Sequence, residues 1–205
     1  MEDSDERTLH RLEAFSDIVI GFSLAQLGAA EVFTKTMAWN ASGASAFFAS
    51  FAIVCSLWYF HHRLFQNYFV PKALPIVLNF LWLAVVVLLV FVSVRSSASG
   101  FQSRNATLLY FGLYTLAYFI LTLQTAIGMR LKPAREPGAA VKGMRQFAAM
   151  AFWSLVFAVN FALVKFMPWT PAIGNAIGMT FGAGVAGSVG MALYFRKRAV
   201  SLPSV

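Results

Sequence analysis

Six apolar runs of about twenty residues each dominate the chain, and a run of that length crosses the hydrocarbon core of a bilayer as a helix. They cover residues 15–33, 44–64, 74–94, 106–129, 147–167 and 173–195. The stretch from Leu81 to Val94 sets the type: it is apolar throughout, without the alternation of polar and apolar residues that a lipid-facing barrel strand requires. Helix breakers fall between the runs. Asn40, Ser42 and Gly43 part the first two, Pro71 and Pro75 open the third, Pro133, Pro137 and Gly138 lie in the fourth connection, and Pro168 and Pro171 part the last two. The expected fold class is therefore an all-α integral membrane protein, a single six-helix transmembrane domain over residues 1–205.

Charge gives the chain a direction. Only 12% of residues are charged, against about 25% in a soluble domain, and the net charge is +8. The basic residues stand at the ends of the apolar runs rather than along one helix face, which argues against a nucleic-acid partner. With a cytoplasmic N-terminus, twelve of the 16 basic residues lie inside, and only Lys35, Arg95, Arg104 and Lys165 lie outside. The positive-inside rule then predicts both termini in the cytoplasm. Trp39 and Trp169 are expected at the outer interface, and Tyr68 and Tyr194 at the inner one. The acidic start, MEDSDE, does not read as a cleavable signal peptide. The single cysteine, Cys55, is expected to be a small packed residue within the second span.

Ionisable groups are expensive in lipid, so each one inside a span is a functional candidate. The first span is unusually polar: Ser16, Asp17, Ser23, Gln26 and Glu31 follow Arg11 and Glu13. Such a helix needs water or neighbours along part of its surface. The predicted topology puts Asp17, His61, His62 and Asn79 at one membrane depth. Glu13 and Asp17, four apart, repel each other. Asp17 therefore needs a partner from another helix, and His61, His62 and Asn79 are the groups expected to supply it. The cluster either clamps the bundle or takes a direct part in ion or proton passage. Adjacent histidines diverge by about 100° on a helix, so they do not share a metal, and no metal site is expected. No phosphate loop, HExxH, GxSxG or CxxC is present, and no catalytic residue is assigned: the chain does not read as an enzyme. In the last span Gly174, Gly178, Gly182 and Gly190 recur at multiples of four, with Ala186 completing the row. Such a stripe permits close helix approach, expected within the subunit, with a subunit contact or a mobile gate as the other reading.

Arg11-x-x-x-Phe15-Ser16-Asp17 at the start of the first span resembles the R-x-x-x-F-S-D signature of the transmembrane protein 175 family, potassium-permeable channels of endolysosomes and their prokaryotic relatives. Trp58, His61 and His62 resemble that family's W-x-x-H-H pattern, and Asn79 its helix-three asparagine. The resemblance implies a homotetramer whose first helices line a central pore, braced against helices two and three by Arg11, Phe15, Ser16, Asp17, Trp58, His61, His62 and Asn79. Aliphatic side chains on the first helix form the constriction in that family. Five, nine and twelve residues after the aspartate, this chain carries Phe22, Gln26 and Ala29, and Ile18 stands one turn before Phe22. Phe22 is then the expected hydrophobic ring, with Glu31 attracting cations at the outer mouth.

The sequence thus predicts a passive, potassium-favouring cation channel of an inner (plasma) membrane. Its surroundings are the lipid bilayer and other copies of itself. No organic substrate is expected, and no cofactor beyond a permeant K⁺ or other monovalent cation. Histidine titration near neutral pH is a candidate pH response. The alternatives are a proton-coupled transporter using an Asp/His relay and a non-conducting scaffold of the same fold.

Overall fold

The computed structural model describes residues 2–33, 41–98, 103–131 and 137–200, and these residues form helices joined by short connections. The helices are α1 (Glu2–Phe33), α2 (Ala41–Asn67), α3 (Ala73–Ala98), α4 (Arg104–Leu131), α5 (Pro137–Phe166) and α6 (Pro171–Val200). Several extend beyond the apolar runs. The largest extension is in α1, which continues through the charged segment before residue 15, because nothing from Glu2 to Ala14 breaks a helix. Pro137 and Pro171 occupy the first positions of α5 and α6, where a missing N–H and a fixed φ suit a helix start.

Among the described residues, α3, α4, α5 and α6 each hold a stretch long and apolar enough to cross a membrane. The chain is a multi-pass membrane protein whose described elements are all helices. The expectation of six crossings exceeds these four by α1 and α2, part of whose side chains lie outside the described residues.

The helices pack in an arrangement with two unlike edges. The middle holds α2 to α5, with α2 touching each of α1, α3, α4 and α5. At one edge α1 packs against α2 and α3; at the other, α6 packs along α5, with Phe181 also reaching Phe111 of α4 at 6.2 Å between ring centroids. Trp82, Leu57, Leu64, Leu89, Tyr114, Tyr118 and Phe157 form the fully buried centre. Rings of Tyr114 and Tyr118 stack on Phe157 at 4.7 and 5.6 Å, tying α4 to α5. Ser56 and Tyr118 share a 2.5 Å hydrogen bond between α2 and α4. At the far end of α5, the Arg104 guanidinium donates to the carbonyls of Val164 (3.0 Å) and Lys165 (2.6 Å). Those carbonyls have no partner within their own helix, so one cation from α4 closes the end of α5.

Tyr68 departs from its expected place in an interfacial belt. It is buried. A Cβ on Gly128 of α4 would collide with the Tyr68 backbone carbonyl, and one on Gly143 of α5 would collide with its phenol. Two glycines therefore admit the turn after α2 between α4 and α5. Of the other expected belt residues, Trp169 and Tyr194 are exposed, and Trp39 lies outside the described residues.

Candidate functional site

The polar residues of α1 divide between two neighbours according to helical phase. Ser16, Ile20 and Ser23 are buried at 0%, 1% and 3% exposure, whereas Ile18 and Phe22 are 70% and 64% exposed. One side of α1 is thus sealed against α2 and α3, and the other faces away from the subunit.

Two cross-helix contacts form rungs between α1 and α2. Trp58 Nε1 donates to Asp17 Oδ1 at 2.9 Å. One turn along, His62 Nδ1 lies 3.2 Å from Glu13 Oε1. The Gln66 amide donates to His62 Nε2 at 2.7 Å, while His62 Nδ1 lies close to the Glu13 carboxylate without a hydrogen bond to it. The rungs are locked together because Trp58 and His62 stack, with ring centroids 5.6 Å apart and planes 17° from parallel. The spacing explains the pattern. Glu13 and Asp17 are one turn apart on α1, Trp58 and His62 are one turn apart on α2, and the helices run antiparallel.

A third connection reaches α3. His61 Nε2 donates to Asn79 Oδ1 at 2.8 Å, and Asn79 Nδ2 donates to Ser16 Oγ at 3.2 Å. Ser16 in turn donates to the Leu12 carbonyl at 2.7 Å. This chain of donors crosses all three helices through fully buried groups. The His61 ring is held flat against Trp82, 4.3 Å away and 6° from parallel, and tilted against Phe65 at 4.7 Å. Phe15 reaches sideways to Phe80 of α3, 6.0 Å between centroids.

The structure brings Ser16, Asp17, Trp58, His61, His62 and Asn79 together at one level, but it corrects the expected pairing. Asp17 contacts neither histidine nor Asn79; its partner is the Trp58 indole. Glu13, expected only as a like charge beside Asp17, takes His62. Its signal in the sequence was the i, i+4 spacing shared with Trp58 and His62, which matches two rungs to two rungs. Trp82 carried no polar signal and is found only as the plate under His61. Arg11 is exposed and stands outside the cluster.

Along the outward side of α1 run Ile18, Phe22, Gln26 and Ala29, all exposed. Asp17 sits about 7.5 Å below Phe22 along the axis, at 1.5 Å per residue. The side chain of Glu31 and the surroundings of Gly174 lie outside the described residues. The glycine row of α6 does not pack within the subunit as expected. A Cβ on Gly178, Gly182 or Gly190 would meet nothing within 4 Å. The contact with α5 uses the other side of the helix, where a Cβ on Gly187 would stand 2.7 Å from the Phe152 ring and one on Gly184 3.3 Å from Val156. Among the described residues no group of three His, Cys, Asp or Glu side chains is placed to hold a metal.

No curated protein and no solved structure matches the chain. A family model described as endosomal/lysosomal potassium channel TMEM175 matches residues 11–89, which hold every residue of the three-helix cluster. From residue 11 to residue 89, through α1, α2 and most of α3, this chain is similar to the TMEM175 potassium channel family.

Proposed function

We propose that the protein is a passive, potassium-favouring cation channel of a bacterial inner membrane, built as a homotetramer with six crossings per subunit and the outward side of α1 lining the pore. The observation that carries this reading is the division of α1. A membrane helix tied to its own subunit by buried polar bonds, yet 64% exposed at Phe22 on its other side, is positioned to meet copies of itself around an axis. The match to a potassium channel family over this segment supports the same reading.

In this arrangement Phe22 forms the narrowest ring and acts by dewetting. Gln26 and Ala29 form wider and more polar layers beyond it, and Glu31 draws cations to the outer mouth. The clasp of Asp17, Trp58, Glu13, His62, Asn79 and His61 fixes the rotation of α1, and so fixes which residues reach the axis. Both termini face the cytoplasm, on the strength of the twelve-to-four division of basic residues. The Asp17 contact with an indole gives no direct Asp–His relay, which weighs against the proton-coupled transporter.

The test is K⁺ flux into proteoliposomes, with Na⁺ exchanged for K⁺ and protein-free vesicles as the blank. The wild-type protein conducts, and Phe22→Ala raises the flux at least about tenfold, the ratio that a barrier lower by about 1.4 kcal/mol gives. Flat traces from both, in correctly inserted protein, would leave a non-conducting scaffold. Saturable flux that requires a second solute would restore the transporter.

A further inference from the structure

A cavity of about 300 Å³ opens between the ends of α2, α5 and α6, remote from the outward side of α1. Its volume lies at the lower end of the range of small-ligand sites, about 300–1,000 Å³. Arg63 of α2 and Lys142 and Arg145 of α5 line it, and among the described residues no acidic side chain does. Three cations in one cleft favour an anion, and at a membrane edge phosphate is the common one. Further in, the lining turns apolar, with Phe60, Trp153 and Met191 among its walls. Ser188 also lines the cavity, and its buried hydroxyl has no hydrogen-bond partner among the described residues.

The walls are built, not incidental. Gln146 donates to the Phe60 carbonyl at 3.2 Å, holding α5 to α2 at the floor of the cleft. Tyr68 is seated by the close approach of Gly143. Among the described residues the backbones of α2 and α6 do not approach each other, so the two helices are spaced apart and the cleft lies sideways between them. A basic end, an apolar interior and a sideways opening are the three features that an amphiphile with a phosphate head requires.

We infer that this cleft binds a phosphate ester, with Arg63, Lys142 and Arg145 holding the phosphate and the apolar walls holding the first carbons of its tail. An anionic phospholipid entering between α2 and α6 is the source the geometry favours, and a soluble phosphate ester is the other source of the same chemistry. The site does not depend on conduction.

Native mass spectrometry of the protein released from phosphatidylcholine nanodiscs, with and without phosphatidylglycerol, tests this. Glycerol phosphate is added in a parallel arm. Retained phosphatidylglycerol identifies the lipid source; glycerol phosphate retained with no lipid identifies the soluble source. In either case Arg63→Gln and Arg145→Gln each weaken binding roughly fivefold, since each cation near a membrane surface contributes about 1 kcal/mol. Ala192→Phe, which fills the cavity from α6 and keeps every charge, abolishes retention. Lys72→Gln, an exposed cation outside the cleft, leaves it unchanged. Retention of neither ligand, equal losses from Lys72→Gln, or full retention by Ala192→Phe in variants that keep the wild-type elution volume would overturn the assignment.

Discussion

The two edges of the bundle hold their outermost helices by opposite means. α1 is held by polar contacts: the Trp58–Asp17 bond and the His62–Glu13 approach to α2, and a buried donor chain through Asn79 to His61. α6 is fixed by proximity: Gly184 and Gly187 bring its backbone against Val156 and Phe152, with Thr180 donating to Asn160 at 2.7 Å as a polar tie. The outward sides differ too, bulky on α1 at Ile18 and Phe22, mixed on α6, where Gly178 and Gly182 stand among exposed Met179, Val185 and Val189. In lipid there is no hydrophobic force between helices, so close packing and interhelical hydrogen bonds remain as the means of association. Each edge relies mainly on one of them. A polar clasp fixes rotational phase, because a donor must face its acceptor. A glycine contact fixes distance and tolerates rotation more readily. In the proposed channel, the edge that must hold Phe22 on an axis is the edge with the clasp.

The largest expected effect comes from breaking the clasp at its centre. Asn79→Leu leaves the buried His61 Nε2 without a partner, removes the donor to Ser16 Oγ, and costs about 1–3 kcal/mol, measured by denaturant titration in detergent. If α1 is held mainly by packing, the loss will be no larger than for an ordinary core substitution of similar volume. Next comes the glycine contact. Gly187→Val pushes against the end of the Phe152 ring, which can move, so the cost is about 1–2 kcal/mol, and truncating Phe152 to Ala alongside it recovers part of the loss. Trp58→Phe keeps the stack on His62 but frees Asp17, which is partly exposed, and costs under about 1 kcal/mol. Its sharper readout is flux: conductance falls if α1 then rotates. The smallest effect belongs to Gly182→Val, within about 0.5 kcal/mol for the isolated subunit, because a Cβ there meets open space. A larger loss in the assembled protein than in the subunit would show that this row contacts another copy.

Much of this was legible in the chain. Long apolar runs announced helices because a membrane leaves few other structures possible. Ser16, Asp17, the paired histidines and Asn79 announced a cluster because polar groups in lipid must find partners. The partners themselves were not legible. Whether Asp17 meets a histidine or an indole depends on the register of α1 against α2, and a slip of one residue turns a side chain about 100°. The row Gly178, Gly182 and Gly190 marked a close approach without saying to what. The contact with α5 lies at Gly184, about 200° round the helix from Gly182.

The sequence by itself determined the helices and the depth at which polar groups cluster, since both follow from the cost of exposing polar atoms to hydrocarbon. Only the tertiary structure decided the pairings of Asp17 with Trp58 and Glu13 with His62, the outward side of each edge helix, and the basic cleft between α2, α5 and α6. Those depend on how helices far apart in the chain turn against one another, which side-chain packing fixes and no local pattern encodes.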